Sequence, residues 1–412
     1  MNNKPALITL LFIVFIDMVG IGIALPILPL VFFETSILGT AVSDTVRNTI
    51  LGLLIASYPA AQFIGAPILG ALSDKYGRKK ILLISLAGSA IGYTLFALGI
   101  FINNIYILFA SRIIDGFTGG NISVVRSAIA DVSDKTNKVK NFGLIGMMFG
   151  FGFIIGPFIG GKLTDTDLVS WFSYTTPFWV AAILVTLNII FLTIFFKETL
   201  KAKIHRKITI LTGFFDIKKG FQNKALRPIY ITVFLVFFGW SFYTMLFQVF
   251  LYERFSFTAA EIGMYFAYVG IWIAIAQGII IRPVSNKVNP AKLIRYALFC
   301  VPFIISIYLL PIERMWIYVI VPFMAISFGF IMPNLSTLLS NAVSESEQGE
   351  ALGIQQSMLS LASILPGLLG GVSLAIHPSL PVLLASITLF ATWVYFMMAF
   401  KARYSKSVFG SD

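Results

Sequence analysis

Gly70-Ala-Leu-Ser-Asp-Lys-Tyr-Gly-Arg-Lys-Lys80 is a strongly basic turn caught between two long apolar runs. Lys75, Arg78, Lys79 and Lys80 set four positive charges in six positions, Asp74 is the acid able to pair with them, and Gly77 permits a tight bend. An ordinary basic loop on a soluble globule does not explain the flanks, so the turn reads as a loop between two membrane helices.

Composition supports that reading. The 412 residues are 58% hydrophobic and only 12% charged, with a mean hydropathy of +0.90, whereas a soluble domain carries about 25% charge. A net charge of +12 raises the question of nucleic acid, so the position of the 30 Lys and Arg residues matters. They are spread along the chain rather than gathered in one patch, which favours a bilayer and no nucleic-acid partner. The lone Cys300 cannot form an internal disulfide, and His205 and His377 fall in or near loops, so no metal or other cofactor is expected. The first apolar run is over 25 residues long and holds Asp17, Pro26 and Pro29, which reads as a retained helix rather than a signal peptide.

Crossing a bilayer takes about 20 apolar residues. Twelve stretches meet that length: 6–33, 48–70, 81–101, 106–130, 142–163, 174–196, 228–252, 260–281, 293–311, 315–341, 350–375 and 379–400. With both termini in the cytoplasm, the inner loops carry 24 Lys and Arg and the outer loops 4, a clear positive-inside bias. Arg112 and Arg126 lie within the fourth span. The basic interval 197–227 is the expected linker, dividing the chain into a bundle over 1–196 and a bundle over 228–412. An internal echo supports the division: Ile68–Lys80 aligns without gaps on Ile280–Lys292 at a constant offset of 212 residues, matching Ser73 to Ser285, Asp74 to Asn286, Lys75 to Lys287 and Lys80 to Lys292. Both copies follow the second span of their half, as in a transporter built from two parallel repeats.

So placed, the opening stretch resembles the G-x-L-S-D-R-x-G-R-K signature of the major facilitator superfamily, with Lys75 where Arg is commoner. Arg112-Ile-Ile-Asp-Gly-Phe-Thr-Gly-Gly120 with Ala130-Asp131 resembles the family's second signature, and Gly152-Phe-Ile-Ile-Gly-Pro-Phe-Ile-Gly-Gly161 is similar to its antiporter signature. Asp17-Met-Val-Gly-Ile-Gly-Ile-Ala-Leu-Pro26 resembles the drug/proton antiporters that include the tetracycline exporters. Gln62, Ala276-Gln277 and Glu347-Gln-Gly349 extend the likeness over nearly the whole chain. The resemblance implies an all-α integral membrane protein, twelve transmembrane helices in two six-helix bundles, which is the major facilitator fold. It also implies a multi-pass protein of the bacterial inner membrane whose partners are protons, a small-molecule substrate and lipid; a monomer is expected. Gly92 and Cys300 stand where, in an ungapped reading, those exporters carry acids in spans three and nine; the added charges of span four point to a substrate other than tetracycline.

Each motif also has a physical reading. Gly152, Gly156 and Gly160 recur every fourth residue beside Pro157, either as plain helix packing or as a bending seam for alternating access. Asp17 lies near mid-membrane, where acids mark ion pathways or pair with a buried base. Asp17 and Arg112 either communicate in proton coupling or only orient spans one and four. Asp115 pairs with Arg112 at i,i+3 or shares the coupling role. Its eleven-residue spacing from Arg126 sets both on one face of a continuous helix. Arg126 either snorkels or, with Asn121 and Asp115, recognises an anionic or zwitterionic substrate. Trp240, Tyr243, Gln248, Gln277, Asn334, Gln355 and Gln356 offer aromatic and amide groups for a pocket, with Gln62 from the first half; Tyr268 and Trp272 read the same way. Interhelical or lipid packing is the alternative for each. Gly70, Asp74, Gly77, Arg78 and Asp131 form the expected cytoplasmic latch. No nucleotide-binding loop occurs, and the paired His or Ser/His machinery of an enzyme is missing from the spans. Proton-coupled efflux of an amphipathic drug-like compound is the expected function. Transport of an endogenous anionic metabolite, such as a polycarboxylate or siderophore-like chelator, is the second reading.

Overall fold

The computed structural model describes residues 4–24, 26–35, 37–39, 42–133, 138–200, 212–285, 287–310, 313–343 and 348–404. His205, Asn286 and Glu347, named above, lie outside them. Apolar runs of this length leave each backbone polar group to be satisfied within its own helix, and no strand occurs among the described residues.

Eight of the twelve expected spans are single helices: Asp44–Tyr76, Arg78–Phe101, Lys138–Lys162, Thr176–Phe195, Arg227–Phe255, Pro290–Ile307, Gln348–Ile376 and Leu380–Tyr404. The other four are interrupted. Span one runs Lys4–Ala24 and resumes as Leu28–Glu34, with Pro29 in its first turn. Span eight passes from Ala259–Ile275 through a π-helical stretch, Ala276–Ile281, into Arg282–Ser285, and span ten is divided into Arg314–Gly329 and Ile331–Asn341. Span four, expected as one helix, is Ile105–Thr118, a 3-10 turn Gly119–Asn121, then Ile122–Val132. Among the described residues eleven spans are long and apolar enough to cross a membrane as they stand, and the fourth is split by its turn. A further helix, Thr212–Gln222, lies within the basic interval.

The chain forms two compact units, Met1–Thr212 with Phe257–Gly270, and Gly213–Ser256 with Ile271–Asp412. In the first, span one packs on spans five and six, and span three on spans four and six. In the second, span seven packs on spans eleven and twelve, and span nine on spans ten and twelve. The same internal pattern therefore recurs six spans later, as a duplicated bundle requires.

The glycine stripe explains the tightest of these contacts. A Cβ on Gly156 would stand 2.6 Å from the Val19 carbonyl oxygen and 2.8 Å from Gly22 Cα; Gly152 meets Met18 and Gly160 meets Ile23 in the same way. Without a hydrophobic driving force between helices in lipid, such close backbone approach supplies the packing. The other flank of the helix, at Pro157 and Gly161, abuts Gly263 and Ala259 of the Phe257–Gly270 segment.

Candidate functional site

Span four is broken because span two comes so near it. A Cβ on Gly120 would stand 2.5 Å from the Ala66 backbone nitrogen, so only glycine fits there. Tightening to 3-10 frees backbone acceptors, and Gln62 Nε2 donates to the Gly119 carbonyl at 3.0 Å. Ser123 Oγ donates to the Ala66 carbonyl at 2.9 Å. The 3-10 turn rotates the chain by about 120° per residue against 100° in an α-helix. The eleven-residue register between Asp115 and Arg126 is therefore not that of one continuous helix.

Around this break the first unit gathers its intramembrane charges. Asn121 Nδ2 donates to Asp17 Oδ2 at 2.8 Å. Arg112, whose ion pair is with Asp115 rather than Asp17, holds its Nη2 3.9 Å from Asp115 Oδ2. That is too long for a hydrogen bond. Arg112 Nε and Nη2 and Asp115 Oδ2 are buried with no hydrogen-bond partner among the described residues. The guanidinium instead lies over rings, 4.5 Å from the Phe96 centroid and 5.8 Å from that of Tyr58. Asp115 owes its place to Gly92, where an added Cβ would stand 2.6 Å from Asp115 Cβ. Tyr58 and Tyr93, which sequence reasoning did not single out, wall this region: the Tyr58 hydroxyl faces Gly119 and the Tyr93 hydroxyl faces Gly20. Arg126 is half-buried beyond the break, on Ile122–Val132.

At one end of the same unit the opening loop closes on itself. Gly77 has φ +106, a conformation that favours glycine, and turns the chain from one helix into the next. Arg78, 7% exposed in its side chain, donates Nη1 to Asp74 Oδ1 at 2.5 Å and Nε to Asp131 Oδ2 at 3.0 Å. Its Nη1 also donates to Ser73 Oγ at 2.6 Å, and Gly70 packs on Ser123. Glu198 was not foreseen. Its carboxylate accepts from the backbone nitrogens of Arg78 at 2.9 Å and Lys79 at 3.1 Å, capping the helix that starts there. Thr199 Oγ1 donates to Asp131 Oδ2 at 3.4 Å. The sequence signal was an acid in the first residues after span six, at the edge of a basic interval.

The second unit holds its candidates in separate places. Trp240 stacks on Phe328 with centroids 3.4 Å apart and planes at 10°, and Tyr243 lies against Trp240, Phe247 and Tyr308. Gln248 is buried; its Nε2 donates to the Met245 carbonyl and its Oε1 has no hydrogen-bond partner among the described residues. Asn334 Nδ2 donates to the Phe330 carbonyl at 2.7 Å and to Ser285 Oγ at 3.4 Å. Gln355 Nε2 donates to Ser336 Oγ at 3.0 Å. Gln356 is half-buried, and Gln277 is exposed on the π-helical stretch.

Two duplicated helical bundles, with charged groups buried around a broken helix in one and aromatic and amide groups in the other, define a multi-pass membrane transporter. The model of the Major Facilitator Superfamily matches residues 10–367, and the chain belongs to that family, whose members are transporters and not enzymes. It is 32% identical over 369 residues to the tetracycline resistance protein, class H, of Pasteurella multocida, covering 89% of this chain and 88% of that protein. It is 28% identical over 410 residues to multidrug resistance protein 1 of Bacillus subtilis (strain 168), covering 98% of each. In fold it matches the crystal structure of the human organic anion transporter MFSD10 with a TM-score of 0.72 at 20% identity, over 96% of this chain and 100% of that one.

Proposed function

We propose that this transporter exports an amphipathic drug-like compound in exchange for protons, by alternating access, across a bacterial inner membrane with both termini cytoplasmic. The observation that carries the proposal is the arrangement at the broken fourth span. Asp17 is held by Asn121 at 2.8 Å, beside an Arg112–Asp115 pair at 3.9 Å in which Arg112 Nε and Nη2 and Asp115 Oδ2 have no hydrogen-bond partner among the described residues. Intramembrane acids ordinarily serve ion pathways, and a buried pair with three polar atoms left without hydrogen bonds is too costly to be ordinary packing. A proton on Asp115 cancels its attraction for Arg112, and a proton on Asp17 changes what Asn121 binds; either event alters the contacts of the turn Gly119–Asn121. Moving one charge through 100 mV releases about 2.3 kcal/mol, which sustains about a fifty-fold substrate gradient.

The names of the relatives, resistance proteins for tetracycline and multiple drugs, favour efflux. The stacked Trp240–Phe328 pair, with Tyr243 buried against it, is an apolar aromatic cluster of the kind that lines sites for such compounds. Asp74, Arg78 and Asp131 act as a latch for one state of the cycle, and the stripe Gly152, Gly156, Pro157 and Gly160 as the seam that moves. A second reading, carriage of an anionic metabolite, is favoured by the half-buried Arg126 on span four. Counterflow in proteoliposomes, with amphipathic cations in one series and polycarboxylates in another, tests both. Uptake confined to the first series supports the drug exporter, and uptake confined to the second overturns it.

A further inference from the structure

The second unit carries an open groove of about 760 Å³ between Pro290–Ile307 and Arg314–Gly329, a size typical of pockets for small organic ligands, about 300–1,000 Å³. Buried Ile320 forms its floor, and exposed Ile307, Trp316, Val319 and Phe323 form its walls. Trp316 to Phe323 spans about 10 Å of helix, enough to seat the first part of an acyl chain. An apolar outer face alone is ordinary for a membrane protein. This groove differs because one charged residue, Glu313, stands at its end, in no ion pair among the described residues, with Trp316 one turn away in the manner of an interfacial aromatic belt.

The charges around that end select a headgroup. A carboxylate accepts hydrogen bonds from a primary ammonium, which offers three donors, and none from a quaternary one. Two guanidinium groups are fixed close by: Arg254 Nη2 donates to the Leu309 carbonyl at 2.8 Å, and Arg314 Nη2 to the Ser256 carbonyl at 3.1 Å. They suit a phosphate. We propose that this groove binds one phospholipid whose zwitterionic headgroup ends in a primary amine, with an acyl chain along Trp316 to Phe323, the ammonium on Glu313 and the phosphate toward Arg254 and Arg314. The site rests on the chain's place in the bilayer and not on the transport reaction, so failure of one reading leaves the other standing.

Native mass spectrometry of the full chain tests it, after incubation with equal amounts of phosphatidylethanolamine and phosphatidylcholine of the same acyl composition. The parent retains phosphatidylethanolamine about three- to fivefold over phosphatidylcholine, the scale of a solvent-exposed ion pair. Glu313→Gln loses that preference, and Val319→Trp, which fills the groove from an exposed position, loses the bound lipid. Equal retention of the two lipids by the parent, a preference that survives Glu313→Gln, or unchanged lipid on Val319→Trp overturns the proposal. So does stronger retention of phosphatidylglycerol than of either when it is added as a third lipid in equal amount, which would mark an anionic-lipid site on the arginines alone.

Discussion

Replacing Arg78 by Ala removes the cation that joins the opening loop to the end of span four. In the structure that side chain, 7% exposed, donates to Asp74 at 2.5 Å and Asp131 at 3.0 Å, and to Ser73 at 2.6 Å. A hydrogen bond to a charged group contributes about 1.5–3 kcal/mol. Asp74 and Asp131 are 20% and 25% exposed, so water recovers part of what is lost and the sum is discounted accordingly. The net effect on the latched state is about 2–3 kcal/mol, or about 30- to 150-fold in the equilibrium that the latch biases. Asp74→Asn keeps an oxygen acceptor and loses only the charge, so its effect is about 1 kcal/mol, or about fivefold. The assay pairs initial transport rate in proteoliposomes with substrate affinity in detergent. Arg78→Ala slows transport at least about tenfold and Asp74→Asn less, while affinity stays within about threefold of the parent. Affinity that falls in step with the rate refutes the latch, because the loop would then belong to the substrate site; an unchanged rate refutes it too.

Three other outcomes follow from the packing. Gly92→Ala drives a Cβ into Asp115, 2.6 Å away in the present geometry, and lowers stability by about 1–3 kcal/mol as overpacking does, read as a drop in thermal unfolding midpoint. Gly156→Ala meets backbone at Val19 and Gly22; the variant inserts in the membrane but transports poorly, whereas Gly146→Ala, with open space around it, transports as the parent does. Glu198→Ala uncaps the helix at Arg78, costs about 0.5–2 kcal/mol and exposes the backbone amides of Arg78 and Lys79 to faster hydrogen exchange.

The spans and their duplication were legible because a bilayer imposes a length that composition alone reveals. The charged loop was legible because Asp74 and Arg78 are four residues apart on a short segment, and so was the i,i+3 pair of Arg112 and Asp115. The break in span four was not. Gly119 and Gly120 sit in an apolar run long enough for one helix, and the turn comes from the approach of Ala66 on another span. For the same reason Asp17 was set against Arg112 and not against its actual partner: Asn121 is 104 residues away and faces it through that turn. Glu198 caps a helix start 120 residues earlier, a contact no local pattern carries. Arg126 was read with Asp115 through a continuous helical register, and the 3-10 turn removes that register. The aromatic partner of Trp240, Phe328, was one phenylalanine among 40, and nothing in its surroundings marked it.

The central claim is that export is coupled to protons through the acids of the first unit. It is tested by the pH inside proteoliposomes, with a trapped dye, when a transported compound is added outside. Exchange predicts that the lumen becomes more alkaline as substrate enters and protons leave, and that Asp17→Asn abolishes the change while substrate counterflow persists. Counterflow by the parent without any change of internal pH, or a change equal to the parent's in Asp17→Asn, contradicts the account.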